Sequence, residues 1–457
     1  MDNMNTNMNK KSLYNYGLQN IDTANLYKGI FPYDEIPKIR FNNVQVPMDL
    51  PEKIWITDTT FRDGQQSMPP YTAEQIARIY DYLHQLDNNS GIIKQTEFFL
   101  YTEKDRKAVE MCMEKGYEFP QITSWIRANK EDFKLVKQMG IKETGMLMSC
   151  SDYHIFKKLN MSRKQAADMY ISLVEEAFEN GIVPRCHLED ITRADFYGFV
   201  VPFVSKLVEL SKEAGIPVKI RACDTLGVGV SYQGVELPRS VPAIIHGLRY
   251  NCGVPSECIE WHGHNDFYSV VTNSTTSWLY GGSSVNTSLL GIGERTGNCP
   301  LESMIFEYAQ LKGSTENMNL KIITEISDYF EKEFGYETPP RTPFVGSDFN
   351  VTRAGIHADG ILKDEEIYNA FNTEKVLGRP IVIAVNQYSG LAGIAAWINT
   401  YYRLKEDMKI DKNDSRVHVI KEWVDEQYAC GRTTIMRSDE LENMVKLVMP
   451  EITEVAS

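Results

Sequence analysis

Residues 258–264, Cys-Ile-Glu-Trp-His-Gly-His, are the stretch on which the reading of this chain turns. The run is apolar, of strand length, and ends in two imidazoles. On a strand, residues i and i+2 point to the same face, so Glu260, His262 and His264 line one side. Seven further runs of this kind lie at 53–58, 95–100, 119–126, 143–149, 183–190, 217–224 and 284–291. Helical periodicity fills the intervals, at Ala73–Leu86, Glu103–Lys115, Asn129–Met139, Ser162–Asn180, Gly198–Ala214, Val241–Tyr250, Tyr268–Tyr280 and Pro300–Lys312. Eight strand–helix units in about 260 residues predict a closed (β/α)8 TIM barrel of the α/β class. An open doubly wound sheet is the alternative.

The polar residues support the barrel. Asp58, Ser149, Glu189-Asp190, Asp224-Thr225, His262/His264 and Glu294 fall at the C-terminal ends of the predicted strands, the face on which barrel enzymes build their sites. Around the barrel of residues 51–315, the chain is expected to carry an irregular N-terminal extension, 1–50, and a smaller, mainly helical C-terminal region. That region divides into a linker and lid, 316–408, and C-terminal helices, 409–457. Within it, Arg353–Gly360 reads as a Gly-rich loop, with a helix expected at Asp364–Phe371. The segment is expected to be too small to bury a core of its own.

Composition narrows the class. The 457 residues carry a formal net charge of −14, which argues against a nucleic-acid or membrane-surface binder. No apolar run approaches the ~20 residues of a membrane span. The eight cysteines are scattered without a CxxC pair, as in a reduced, cytoplasmic protein.

The motifs point to metal-centred chemistry. An Asp, two His and one further oxygen suit a borderline divalent ion. Asp58, His262 and His264 are the expected ligands, joined by Asn298 from the glycine-rich turn Gly291–Asn298. Mn²⁺ or Co²⁺ fits such a set best, and Zn²⁺ or Mg²⁺ is possible. Arg62, in the first βα loop, can stabilise an alkoxide formed from a bound carbonyl. Asp63 and Gln66 beside it are candidate substrate contacts. Glu189 is placed inward by alternation with Arg185 and His187, available for acid–base work or for a salt bridge to Arg185 or Arg221. Thr225 can bind a carboxylate or cap a helix, and Arg127 follows the third strand as a candidate cation.

Asp58-Thr-Thr-Phe-Arg-Asp-Gly64, the His262/His264 strand and Gly293-Glu-Arg-Thr-Gly-Asn298 together resemble the signatures of the DRE-TIM metallolyases, over about Lys53–Met408. The resemblance is to their Claisen-condensing branch, which contains isopropylmalate, homocitrate and citramalate synthases. It implies addition of the acetyl methyl of acetyl-CoA to a 2-oxo acid, followed by thioester hydrolysis. It also implies Arg62 as activator of the keto group, Thr225 as carboxylate holder, and Glu189, His357 and Tyr388 in acid–base roles. His357 would act from the C-terminal region of a partner chain, in a homodimer with shared active sites. Several departures narrow the acceptor. His187 stands where relatives carry a small hydroxyl residue, the fourth strand offers no cation, and about seventy residues follow Tyr388, too few for a leucine-sensing domain. The pattern is closest to the citrate-forming members, with oxaloacetate as acceptor and Arg127 at its distal carboxylate, Arg185 or Arg221 being the alternatives. Homocitrate or isopropylmalate synthesis is the alternative. A biotin-dependent carboxyltransferase shares the opening motif but needs a lysine at a strand end beside the metal, where Ser149, Asp190 and Thr225 stand.

Overall fold

The computed structural model describes residues 17–353, 355–404 and 408–455. Expectations for residues 1–16 of the N-terminal extension therefore lie outside the described residues. The chain separates into two compact units, 1–319 and 320–457.

The first unit is a closed parallel barrel. Its strands are β1 (Trp55–Asp58), β2 (Ile93–Phe98), β3 (Gln121–Ile126), β4 (Glu143–Ser149), β5 (Val183–Glu189), β6 (Lys219–Asp224), β7 (Ile259–Gly263) and β8 (Ser284–Thr287). Each pairs with the next, and β8 closes on β1 with Trp55 opposite Ser284. The expected helices between the strands all form, several shortened at an end, as at Phe133–Gln138 and Val270–Leu279. Capping boxes at Thr72, Thr102 and Ser162 start three of them, satisfying first-turn amides that have no partner within the helix. Residues 17–50 run as irregular chain along the barrel, tied by Asn25 to Asp152 and by Asp49 to Arg249.

Two kinds of surface result from strand alternation. The outward residues Ile56, Ile220 and Val285 are fully buried beneath the helices. The inward residues are charged. Glu97 of β2 meets Arg185 of β5 at 2.5 Å and Arg221 of β6 at 3.2 Å. Arg185 also reaches Glu143 of β4, and Arg221 pairs with Glu260 of β7. Burial works against the charge on Glu97, but Arg221, Arg185 and Arg62 outweigh it and hold the carboxyl well below its usual range. Gly145 of β4 is required here: a Cβ would lie 2.5 Å from the His187 ring and 2.8 Å from Glu97.

The second unit contains helices Ile322–Phe334, Gly355–Lys363, Leu391–Tyr401, Ser415–Ala429 and Ser438–Val448, with a short parallel pairing of Val351–Thr352 and Val382–Ile383. Three expectations are corrected. The Gly-rich segment expected as a loop forms the helix Gly355–Lys363, and the helix expected at Asp364–Phe371 is only a 3-10 turn, Glu365–Ile367. Gly360 serves close packing and not a turn, since a Cβ would meet the Tyr368 ring at 2.4 Å. The unit also buries its own core: Val385, Ile394, Ile398, Val417, Ile420, Val424 and Val445 are fully buried in one cluster. Among the described residues, no helix is long and apolar enough to cross a membrane, and all eight cysteines are free.

Candidate metal centre at the barrel mouth

Alternation on β7 sends Glu260 into the barrel and puts His262 on the same side one step nearer the mouth. His264 follows in an antiparallel bridge to Asn298. The two imidazoles face each other, Nε2 to Nε2, at 3.2 Å. Asp63 Oδ2 stands 3.4 Å from His262 Nε2. Among the described residues, Asp63, His262 and His264 form the group whose ligand atoms all lie within 4.8 Å of one another.

Asp58 does not belong to it, which corrects the expected ligand set. The Thr57 hydroxyl points into the barrel and donates to Glu260, so the next residue, Asp58, points to the helix side. There its carboxylate accepts from Thr60 Oγ1 at 2.5 Å and Thr96 Oγ1 at 2.6 Å, and burial pushes it up to about 6. The chain then makes a wide helical turn, Thr60–Gly64, that brings Arg62 and Asp63 over the mouth.

Several features fit this set to a cation. Burial lowers both His262, to about 4, and His264, leaving neutral rings with free lone pairs. His262 Nδ1 lies 2.8 Å from Asn286 Oδ1, a partner that fixes the proton on Nδ1 and frees Nε2 for a metal. Burial opposes the charge of Asp63, but Arg62 keeps its carboxyl below the usual range. Asn298 donates from Nδ2 to Asp63 at 3.1 Å, while its Oδ1 is buried with no partner. A buried carbonyl oxygen without a donor is a destabilising arrangement that a cation would satisfy.

Arg62 lies beside this centre, donating from Nε to Glu97 at 2.9 Å and pairing with Asp63. Its guanidinium lies 5.6 Å from the Trp125 ring. Glu97 was not among the expected residues, although it stands as a charged residue inside the expected strand 95–100, two positions from Gln95, which marks an inward polar stripe.

The other expected residues are distributed as follows. Glu189 ends β5 on the inward face, but its partners are Ser149, His154 and Lys158, and neither Arg185 nor Arg221. Burial tends to raise it, and the His154, Ser149 and Lys158 contacts bring it down to about 2. Thr225 is not a helix cap; its hydroxyl accepts from the Asp190 amide at 2.8 Å. Arg127 is exposed beyond β3, packed over the Tyr101 ring and paired with Asp132. Gln66 is exposed. In the second unit, His357 is exposed against the Tyr368 ring and Tyr388 is exposed.

Residues 53–330 match the model of the HMGL-like family. The chain is 74% identical over 445 residues to a citrate (Re)-synthase of Clostridium kluyveri, covering 97% of this chain and 98% of that one. It is 51% identical over 439 residues to a citrate (Re)-synthase of Syntrophus aciditrophicus, covering 96% of this chain and 70% of the other. Among solved structures, hydroxymethylglutaryl-CoA lyase from Pseudomonas aeruginosa matches with a TM-score of 0.50 at 19% identity, over 63% of this chain and 95% of that one, a likeness of fold.

Proposed function

We propose, from the premise that this chain belongs to the HMGL-like family, that it joins the methyl carbon of acetyl-CoA to the keto carbon of oxaloacetate and hydrolyses the thioester, releasing citrate and CoA. The observation that carries the acceptor is the near-full-length identity to citrate (Re)-synthases. The centre formed by Asp63, His262, His264 and the free oxygen of Asn298 supports the chemistry.

Asp63, His262, His264 and Asn298 would hold a divalent ion, Mn²⁺ or Co²⁺ by the mix of nitrogen and oxygen donors. Such an ion supplies Lewis acidity to a 2-oxo carbonyl. Arg62 neutralises the oxygen on which negative charge gathers as the carbon–carbon bond forms, and Glu97 fixes its direction through Nε. Thr225 and Arg127 are assigned to the two carboxylates of the diacid, Gln66 to its near end, and Asp63 to the substrate only through the ion that it would hold. Glu189 is held ionised, so it orients a proton carrier better than it takes a proton itself. His357 is assigned that proton transfer, with Tyr388 in support, both contributed by the second chain of a homodimer in the cytoplasm.

The test is product analysis. Metal-loaded protein given acetyl-CoA and, in turn, oxaloacetate, 2-oxoglutarate and 2-oxoisovalerate should form citrate with the highest kcat/KM by mass spectrometry. Homocitrate or isopropylmalate as the faster product would assign the rival reaction.

A further inference from the structure

The carboxylate expected on the metal has another task. Asp58 is fully buried on the helix side of β1. Its Oδ1 accepts from the Thr60 hydroxyl at 2.5 Å, and its Oδ2 accepts from the Thr60 amide at 3.2 Å and from Thr96 Oγ1 at 2.6 Å. The Thr60 hydroxyl, its proton committed to Asp58, accepts from the Leu289 amide at 2.9 Å. A hydroxyl that donates to a carboxylate is a better acceptor for a third group.

Leu289 opens the loop that leads to Asn298, through two left-handed residues, Leu290 and Gly291. The Asn298 amide is tied back to Gly291 O at 2.9 Å, and its side chain donates to Asp63. Asp63 in turn lies three residues after Thr60 on one helical turn. Hydrogen bonds and chain thus close a circuit: Asp58, Thr60, Leu289, Asn298, Asp63 and back to Thr60. It joins the loop after β1, which bears Asp63 and Arg62, to the loop after β8, which bears Asn298.

We infer that Asp58 and Thr60 are positioning residues, which set the separation between Asp63 and Asn298 and so the affinity of the centre for its cation. The inference rests on the cation site described above. Neither residue touches the cation or the substrate. They act as an outer shell does, and loss of such a partner weakens metal binding by roughly 10-fold or more.

The experiment is Mn²⁺ titration of chelator-stripped full-length protein, read by calorimetry without substrates, with thermal unfolding of the metal-free protein in parallel. Thr60→Val keeps the shape and removes the hydroxyl. It should raise the Mn²⁺ dissociation constant about 10-fold, while Thr60→Ser, which keeps the hydroxyl, stays within twofold of wild type. Asp58→Asn should behave as Thr60→Val does. If Asp58→Asn fails to fold, the Thr60 pair alone decides. Folded Thr60→Val protein with a wild-type dissociation constant, and only a lowered unfolding temperature, would overturn the inference and leave the cation site standing. Wild-type protein that binds no Mn²⁺, or a His264→Ala variant that binds it equally well, would overturn the site and the inference together.

Discussion

Asn298 gives one end of its amide to Asp63, at 3.1 Å, and leaves the other end, Oδ1, buried and unanswered. Two side chains from loops 235 residues apart are thereby held with an oxygen of each next to the paired imidazoles of His262 and His264. This half-completed arrangement is what an ion would finish.

Chelation should therefore abolish turnover, and added Mn²⁺ or Co²⁺ should restore it. His264→Ala should bind no metal and show no activity, while its far-ultraviolet circular dichroism stays that of wild type, because the ring lies past the end of β7. Activity surviving in metal-free His264→Ala protein would remove the metal from the mechanism.

Arg62 is fixed by two carboxylates, Glu97 through Nε and Asp63 through the far nitrogen. Lysine keeps the charge but cannot span both. Arg62→Lys should lower kcat about 100-fold, the scale of losing one oriented donor to a developing oxyanion, with KM for oxaloacetate changed far less. Steady-state kinetics separates the two parameters. A rise in KM at unchanged kcat would make Arg62 a ground-state binding group.

The architecture was legible in the sequence because the two periods, 2 and 3.6, were written cleanly into residues 53–312. The candidate site was legible in part. His262 and His264 follow from simple alternation on β7, and Arg62 and Asn298 from their motifs. The exchange of Asp58 for Asp63 was not legible, because the face of Asp58 depends on which neighbour enters the barrel. Thr57 does so, drawn by Glu260 from the far side of the closure. Nor does spacing alone reveal that Thr60–Gly64 winds wide enough to turn Asp63 over the mouth. The helix at Gly355–Lys363 was hidden by its glycines, one of which is there to admit the Tyr368 ring.

Glu302 gives a pH signature in the unfolding equilibrium. It is buried at the start of helix Leu301–Lys312, accepts from the Leu290 amide at 3.1 Å, and is pushed up to about 7 by burial. The folded value lies above the unfolded one. Its contribution to stability is therefore complete below about pH 4.5 and is lost as pH rises through 7. Glu302→Gln removes this dependence. Urea unfolding should show the variant gaining on wild type between pH 5 and pH 8, by roughly 3 kcal/mol at most. A constant difference across that range would mean that the carboxyl is not protonated when folded.

If His357 serves the partner chain's barrel, two inactive variants should complement each other. His357→Ala keeps the metal centre and His264→Ala keeps His357. Co-refolding equal amounts should restore roughly a quarter of wild-type activity, since half the dimers are then mixed and each holds one complete site. Mixed dimers that form, by mass spectrometry, yet stay inactive would place His357 in cis or outside the reaction.

The charged lining of the barrel carries a consequence for folding. A strand displaced by one residue presents its other face to the interior. For β2 that would withdraw Glu97, a carboxylate shared by Arg62, Arg185 and Arg221, and insert Thr96, leaving the interior with one positive charge uncompensated. An unpaired buried charge costs several kcal/mol, comparable to the whole margin by which a domain stays folded. An oily lining would forgive such a slip, because one aliphatic residue replaces another at little loss. Here the interior works as a proofreading device: a misaligned barrel is rejected by its own electrostatics before any substrate meets it.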